Sequence, residues 1–341
     1  MKLKKWSLSA CCFGLLLVLL TGCRGQGEAL TDHTDKGSEA ETAAMTESAA
    51  MTETAAMVET AAGKEVVFTD DLGREVCVEN PQRVAALIGS FADMWYLAGG
   101  TVAAAADDSW KEFELPLGGE VVNTGSMLEP DVERLIAAEP DFVLASAALS
   151  GQTELEPVLA NAGITVAYFD VCTFEDYLRM LEICTRITGR ADLYEQNGLA
   201  VQSEVEQARQ HADGSAPNVL LLRAGGRDVK AKGSEGTVCG EMLKDLGCVN
   251  IADSKAGLLE DLSMEAIIME DPDFIFVVIQ GDDSEAALKN VEEMLVSNPA
   301  WATLSAVKGG RYYVLEKELY HLKPNARWGE AYRKLAAILY P

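Results

Sequence analysis

Hydrophobic and polar positions divide the chain into three blocks. An apolar run covers residues 8–20, and residues 24–63 then contain almost no large apolar side chains. From residue 64 onward, short apolar runs alternate with stretches of helical periodicity. This alternation predicts an α/β fold with mostly parallel sheets, because a parallel strand needs a crossover, usually a helix, before the next strand.

The short apolar runs predict individual strands. The predicted strands cover residues 66–68, 75–78, 84–87, 102–105, 142–145, 165–168, 219–222, 274–279 and 312–315. The first two flank Asp70-Asp71-Leu72-Gly73, a sequence typical of a hairpin turn. Residues 174–211 have helical periodicity and no proline, with a break predicted at Gly189. Their second part, 191–211, is long enough for one rigid helix of about 30 Å.

One pattern occurs twice. Glu133 and the later Pro140-Asp-Phe correspond to Glu265 and Pro272-Asp-Phe, each 132 positions further along the chain. Both copies predict a short amphipathic helix that ends at an acid-Pro step, followed by a buried strand. Because the offset is about the length of one domain, we expect two similar α/β lobes. A single long helix between them would allow little hinge motion.

The predicted organisation follows from these blocks. We expect a signal peptide at 1–22, a lipidated Cys23 with a linker to 63, an N-terminal lobe at 64–190, a linking helix at 191–212 and a C-terminal lobe at 213–341.

The N-terminus has the features of a targeting segment. Lys2, Lys4 and Lys5 precede an apolar run that is too short to span a bilayer of about 30 Å. The run ends in Leu-Thr-Gly-Cys23, which resembles a bacterial lipobox, whose cysteine is acylated and becomes the mature N-terminus. A plain secretory signal with an incidental Cys23 is the alternative. The lipobox places the protein at the cell membrane, lipid-anchored on its extracytoplasmic face.

The linker contains a six-residue repeat of the type Thr-Glu-Thr-Ala-Ala-Met from Thr46 onward. Six residues match neither a solenoid unit nor a stripe on one helix face. The composition predicts a disordered, acidic spacer. The alternative is a site for soft metal ions at Met45, Met51 and Met57, but repeat expansion explains their spacing more simply.

Net charge excludes several classes of partner. The chain has 28 Lys+Arg against 54 Asp+Glu, a formal net charge of −26. Nucleic-acid binding and a polybasic grip on anionic lipid both need a basic surface. The body has five cysteines, an odd number, and no Cys-x-x-Cys. We therefore expect no zinc ribbon or thioredoxin-like site, and we interpret Cys77, Cys172, Cys184, Cys239 and Cys248 as small buried apolar residues.

Several motifs resemble one family in their order and spacing. They are Phe-Thr-Asp-Asp-Leu-Gly-Arg-Glu-Val at 68–76, Pro-Gln-Arg-Val-Ala-Ala-Leu at 81–87, the two Glu-containing repeats, Ala-Gly-Ile-Thr-Val at 162–166 and Pro-Asn-Ala-Arg-Trp at 324–328. Over residues 64–341 the chain is similar to substrate-binding proteins of ABC importers for ferric siderophores, haem and cobalamin. The resemblance implies two Rossmann-like lobes bridged by a helix, a ligand cleft between them, and no catalysis.

In that family, one surface Glu on each lobe docks onto arginines of the permease, and the motif carries this role to Glu133 and Glu265. A repeated acid in two pseudo-symmetric lobes also suits a two-fold permease dimer. Two solvated acids on helix faces are the alternative. The implied partners are the permease dimer with its ATPase and a small chelate, and the expected state is a monomer.

Ligands of open α/β lobes bind beyond the carboxyl ends of the strands. The candidate loops are 89–91, 107–110, 124–127 and 223–232, with the C-terminal motif nearby. The expected ligand-binding residues are Ser90, Trp110, Ser126, Arg223, Arg227, Lys230, Lys232, Tyr320, His321, Arg327 and Trp328. The basic side chains suit an anionic ligand, such as a ferric catecholate or haem propionates, and the two tryptophans suit stacking on a flat chelate. The alternatives are a solvated basic turn, and packing of Tyr320 and Trp328 under the final helix.

The expected function is capture of an iron chelate, with a ferric siderophore favoured over haem or cobalamin. Haem would use His321 or Tyr320 as its axial ligand. No His stands with an acid at metal-ligand spacing, so we expect no bound metal ion and no resident cofactor. A chelate-processing enzyme is an alternative, but the chain has no nucleophile elbow, P-loop or Gly-x-Gly-x-x-Gly. A surface adhesin or sensor would leave the paired glutamates unexplained.

Overall fold

The computed structural model describes residues 65–254, 256–260 and 262–341. The signal peptide, Cys23 and the linker lie outside the described residues. Within the described part of the chain, none of the helices is long and apolar enough to cross a membrane.

The described chain begins with the predicted hairpin. Strands β1 (Glu65–Thr69) and β2 (Glu75–Glu79) pair antiparallel. In the turn, the Asp70 carboxylate accepts backbone hydrogen bonds from Leu72 and Arg74 and also forms an ion pair with the Arg74 guanidinium at 2.6 Å. Gly73 has φ of 75°, a left-handed conformation that favours glycine. The hairpin prediction is therefore confirmed.

The N-terminal lobe contains a five-stranded parallel sheet with the order β5-β4-β3-β6-β7. Its strands are β3 (Val84–Ala86), β4 (Val102–Ala105), β5 (Val122–Asn123), β6 (Phe142–Ser146) and β7 (Thr165–Phe169). Its helices are α1 (Gly89–Leu97), α2 (Asp108–Lys111), α3 (Val132–Ala137), α4 (Ser150–Thr153) and α5 (Glu156–Asn161). The strand order reverses between β3 and β6, which leaves a crevice beyond their carboxyl ends.

A helical segment links the lobes. Helix α6 (Phe174–Thr188) ends at Gly189, whose φ of 72° gives the predicted break. Helix α7 (Ala191–Tyr194), a π-helical turn (Glu195–Leu199) and α8 (Ala200–Arg209) then follow without interruption. The second half of the segment is thus continuous, but it is not a uniform α-helix.

The C-terminal lobe contains a second sheet, with parallel strands in the order β10-β8-β11-β12 and β9 antiparallel to β8. Its strands are β8 (Asn218–Ala224), β9 (Val229–Lys232), β10 (Val249–Asn250), β11 (Phe274–Ile279) and β12 (Tyr312–Val314). Its helices are α9 (Val238–Asp245), α10 (Ile251–Ser254), α11 (Ala256–Glu260), α12 (Met264–Glu270), α13 (Ser284–Val291), α14 (Ser305–Lys308), α15 (Lys317–Tyr320) and α16 (Trp328–Leu339). A π-helical turn (Glu292–Val296) and two 3₁₀ turns (Trp301–Thr303 and Asn325–Arg327) complete it.

One apolar core extends through both lobes. It includes Phe169 on β7, Phe174 on α6, Leu221 on β8 and Trp328 on α16. Each lobe also has a smaller core on the other face of its sheet. Because the lobes share packed side chains, a large hinge motion would expose apolar surface, at about 25 cal/mol per Å². This agrees with the limited motion expected from the sequence.

Candidate functional site

A buried glutamine organises the cleft side of the N-terminal lobe. Gln152 accepts a hydrogen bond from the Ser146 amide at 2.7 Å and donates to the carbonyls of Leu87 at 2.8 Å and Met127 at 2.7 Å. These contacts join the end of β6 to the residue after β3 and to the loop after β5. Gln152 thus holds in place the crevice where the strand order reverses. No sequence pattern indicates this role, because two of its three partners are backbone carbonyls distant along the chain.

The turn after β3 lies against the start of α2. The Gly89 amide donates to Asp108 Oδ2 at 2.8 Å, and a Cβ on Gly89 would lie 2.8 Å from the Asp108 carbonyl carbon, so only glycine fits. Burial raises the pKa of Asp108. Ser90 Oγ, Ser109 Oγ and Asp108 Oδ1 are buried and have no hydrogen-bond partner within the described chain. Such atoms are expected to bind water or a ligand group.

The basic window predicted at 223–232 forms the β8–β9 hairpin. Arg223 lies opposite Lys230, and Lys232 is on the same face of β9 because alternate residues of a strand share a face. Burial lowers the pKa of Lys232, and the positive charges of Arg223 and Lys230 lower it further. Arg227 is exposed in the turn. The structure therefore brings three of the four basic side chains together.

The start of α15 and the segment between α15 and α16 contact the N-terminal lobe. Lys317 Nζ lies 2.5 Å from the Glu112 carboxylate. Asn325 Nδ2 donates to the Ser90 carbonyl at 2.9 Å and to the Asp93 carboxylate at 2.7 Å. These contacts bring the carboxyl-end loops of the two sheets together, which places the candidate cleft between the lobes.

His321 is electrostatically coupled to three cations. Burial, together with the positive charges of Arg223, Lys317 and Lys323, lowers the pKa of His321 to about 4. Burial also lowers the pKa of Lys323, and the neighbouring acidic groups of Cys172, Asp170 and Asp108 partly offset this effect. The residues missed from the sequence are Lys317 and Lys323. Their position on either side of His321, after a strand end, was a signal that could have identified them.

Two predicted ligand-binding residues prove to be core residues. Trp328 is fully buried, with its ring centroid 5.9 Å from that of Phe174 and 6.1 Å from that of Tyr332. Tyr320 is also buried, and its hydroxyl donates to the Ala331 carbonyl at 3.0 Å. Neither ring presents a face to the cleft. The prediction that they contact a ligand is corrected to the alternative, packing under the final helix.

The other predicted residues differ in their surroundings. Trp110 is half-buried and packs against the large core. Ser126 is exposed and accepts a hydrogen bond from the Leu128 amide at 3.1 Å. Arg327 is exposed and forms a 2.8 Å ion pair with Glu330. Its positive charge is therefore stabilised by Glu330 and by solvent.

A cavity of about 810 Å³ lies in the C-terminal lobe. Its lining includes Lys232, Ser234, Thr237, Asn250 and Asp253, and all of its lining residues belong to this lobe. It is therefore not the cleft between the lobes, although one predicted ligand-binding residue, Lys232, lines it.

The repeated motif forms similar structures in both lobes. Glu133 lies in the first turn of α3, which Asp131 caps, and Glu265 lies in the first turn of α12, which Ser263 caps. Both glutamates are exposed, and hydrogen bonds from its own backbone and from Ser263 Oγ lower the pKa of Glu265. One helical turn further, Ile136 and Ile268 occupy corresponding positions, and each is 38% exposed. The internal repeat is thus a structural one.

All five cysteines of the body are free thiols. Cys184, Cys239 and Cys248 are buried, and burial raises the pKa of Cys184 to about 12. Cys172 is half-buried, and Cys77 is exposed on β2. The prediction of five buried thiols is therefore wrong for these two residues. Cys77 is exposed because alternate residues of β2 face solvent, and Cys172 lies in the connection between β7 and α6.

The fold and the cleft define a class, the two-lobed α/β binding proteins. The chain belongs to the Periplasmic binding protein family, whose profile matches residues 84–319. It is 26% identical to the iron-uptake system-binding protein of Bacillus subtilis (strain 168) over 224 residues, which are 62% of this chain and 65% of that relative. It is 22% identical to the Fe(3+)-citrate-binding protein YfmC of the same organism over 256 residues, 74% of this chain and 78% of YfmC.

Staphylococcus aureus SirA complexed with staphyloferrin B has a similar fold. The TM-score is 0.62 at 20% identity, and the match covers 81% of this chain and 97% of SirA. At this identity the likeness shows the fold alone. These relatives are binding proteins rather than enzymes by their names. The chain covers slightly less than two thirds of the first relative.

Proposed function

We propose that the chain is the extracytoplasmic substrate-binding component of an ABC importer, and that it captures an iron chelate, preferably a ferric siderophore. The observation that carries the proposal is the position of two lysines where the lobes meet: Lys317 Nζ lies 2.5 Å from the Glu112 carboxylate, and Lys323 Nζ lies 5.9 Å from the centroid of the Phe91 ring. The names of the relatives, iron uptake and ferric citrate, agree with it. The permease would receive the chelate, and an ATPase on other chains would drive import.

The electrostatics of the cleft favour an anion. The lowered pKa of Lys323 shows that its positive charge is poorly solvated, so a bound anion would stabilise it. Guanidinium and ammonium groups form strong charge-assisted hydrogen bonds with carboxylate or catecholate oxygens.

Haem is the second candidate because of His321. Its lowered pKa keeps the imidazole neutral at physiological pH, and a neutral imidazole is the form that binds iron. The haem propionates would then meet the same cations. Nothing comparable favours cobalamin.

The remaining parts of the proposal concern location and partners. The lipobox at Cys23 would anchor the protein to the outer face of the cell membrane, and Glu133 and Glu265 would dock onto the permease. We infer a monomer without a resident cofactor, since the chelate is the cargo.

Fluorescence titration of the full chain tests the proposal. Ferric siderophores, ferric citrate, haemin and cyanocobalamin are added separately, and tryptophan quenching is recorded. Dissociation constants in the micromolar range or below are expected for at least one iron chelate or haemin. The absence of quenching by all of them at micromolar concentrations would refute chelate capture.

A matched pair of arginine variants locates the site. Arg223→Met removes a cation of the cleft and is expected to weaken an anionic chelate about tenfold or more, the effect of about 1.4 kcal/mol. Arg327→Met removes an exposed arginine that pairs with Glu330 and should leave the affinity unchanged. Equal affinities of the two variants would contradict this location of the cleft.

A further inference from the structure

An ion pair joins the two rims of the cleft. Glu112 follows α2 in the N-terminal lobe, and Lys317 begins α15 in the C-terminal lobe. Lys317 Nζ lies 2.5 Å from Glu112 Oε1 and donates to the Gly281 carbonyl at 2.9 Å. The Asp282 carboxylate lies 3.8 Å away and is largely exposed. Glu112 is thus the close carboxylate partner of Lys317.

The pair is unusual in its burial. The side chains of Lys317 and Glu112 are only 15% and 19% exposed, whereas those of the Lys334–Glu316 pair are 41% and 52% exposed. A shielded pair is costly to separate, because one charge would remain buried without a partner. Separation becomes favourable only when another anion takes the place of Glu112.

Lys317 and Lys323 both lie where the C-terminal lobe meets the N-terminal lobe, because Lys317 pairs with Glu112 and Lys323 Nζ lies 5.9 Å from the centroid of the Phe91 ring. A chelate that binds at Arg223 and Lys323 therefore lies beside Lys317, whose positive charge is already paired with Glu112. A neutral chelate gains nothing from breaking the pair. A chelate with a carboxylate exchanges one carboxylate for another and frees Glu112 to turn toward solvent.

We propose that the Glu112 carboxylate occupies the position of a ligand carboxylate on Lys317, and that the ligand carries a peripheral carboxylate. This inference rests on the proposed function and narrows its ligand class. The carboxylate can belong to a ferric hydroxycarboxylate chelate or to a haem propionate, and separate titrations with ferric citrate and haemin distinguish the two sources.

The test measures the affinities of the full chain and two variants, Glu112→Gln and Lys317→Met, for ferric citrate, haemin and the neutral cyclic ferric hydroxamate ferrioxamine E. Glu112→Gln removes the competing charge and is expected to tighten the binding of the carboxylate ligand about tenfold. Lys317→Met should weaken it about tenfold or more. Ferrioxamine affinity should not change in either variant.

Controls separate the site from folding and from general charge effects. Lys334→Met removes a lysine from an exposed pair and should change no affinity. Far-ultraviolet circular dichroism checks that each variant folds. If Lys317→Met fails to fold, Lys317→Arg keeps the charge and should retain the affinity for the carboxylate ligand, while Glu112→Gln still tests the competition.

The outcomes are distinguishable. Unchanged or weaker binding of both carboxylate ligands by Glu112→Gln overturns the inference, and so does a chain that binds only the neutral hydroxamate, although that result leaves chelate capture intact. A chain that binds none of the ligands refutes both the inference and the proposed function.

Discussion

His321 has a neutral imidazole that is electrostatically coupled to three cations. Burial and the charges of Arg223, Lys317 and Lys323 lower its pKa to about 4, against an ordinary value of 6.5. The unfolded chain therefore binds a proton at this residue between pH 6.5 and pH 4, where the folded chain does not. The contribution of His321 to stability is present above pH 6.5 and is lost as the pH falls toward 4.

Substitution with a residue that does not titrate should remove this pH dependence. His321→Gln is expected to lose less stability than the parent between pH 7 and pH 4.5, by about 1–3 kcal/mol. Urea unfolding of both proteins at the two pH values measures the difference. Asp93 and Asp108, whose pKa values burial raises, contribute to both proteins and cancel in the comparison. Equal losses in the two proteins would show that His321 is not a buried neutral base.

The side-chain amide of Asn197 attaches the linking helical segment to the N-terminal lobe. Asn197 lies in the π-helical turn, where the extra residue interrupts the regular backbone ladder. Its Nδ2 donates to the Leu97 carbonyl at 2.8 Å, and its backbone carbonyl accepts from the Tyr177 hydroxyl at 2.6 Å. The turn is thus fixed to both α1 and α6 of the N-terminal lobe.

Removal of the amide should weaken this attachment. Asn197→Ala leaves the partly buried Leu97 carbonyl without this partner and is expected to cost about 1–3 kcal/mol in the free energy of unfolding. Urea unfolding measures the loss. Gln207→Ala, on the exposed part of α8, is the matched control and should cost less than about 0.5 kcal/mol. Equal costs would argue that the π turn is held by packing alone.

The elements that could be predicted from the sequence are those whose own residues show a clear local pattern. Phe274–Ile279 is fully buried and appears as an unbroken apolar run, and Gly189 ends α6 where a left-handed residue is needed. Strand β5 has only two residues, too few for any periodicity. Strand β9 alternates lysines with apolar residues within the predicted loop 223–232, and its antiparallel pairing with β8 is a tertiary feature that this pattern does not indicate.

The candidate site was less predictable than the fold, because its geometry comes from tertiary contacts. Arg223 was identified by local charge. Lys317 gains its significance from Glu112, which lies 205 residues away in the sequence. The prediction for Trp328 is wrong because the sequence around an aromatic residue does not distinguish a ring that lines a cleft from a ring that packs in a core. Only packing against Phe174 and Tyr332 distinguishes the two.

At the scale of the whole molecule, the internal repeat gives each lobe an exposed acid and an exposed isoleucine on one helix face. Residues three apart in a helix are neighbours on its surface, so Glu133 adjoins Ile136 and Glu265 adjoins Ile268. A two-fold permease dimer would present the same pocket twice, each with an arginine and an apolar contact. The cleft residues take no part in this surface, so docking and ligand capture should be separable by mutation.

Charge reversal at both glutamates tests that separation. Glu133→Lys with Glu265→Lys is expected to reduce uptake of a radiolabelled chelate in the source cells about tenfold or more, because like charges would face each other across the interface. The chelate affinity of the purified chain should remain that of the parent. The uptake rate of each single variant should lie between those of the parent and the double variant, since one lobe would still dock. Glu206→Lys, an exposed acid on α8, controls for net charge and should leave uptake unchanged. If the double variant imports the chelate at the parent rate, the two acids are solvated side chains and another surface meets the permease.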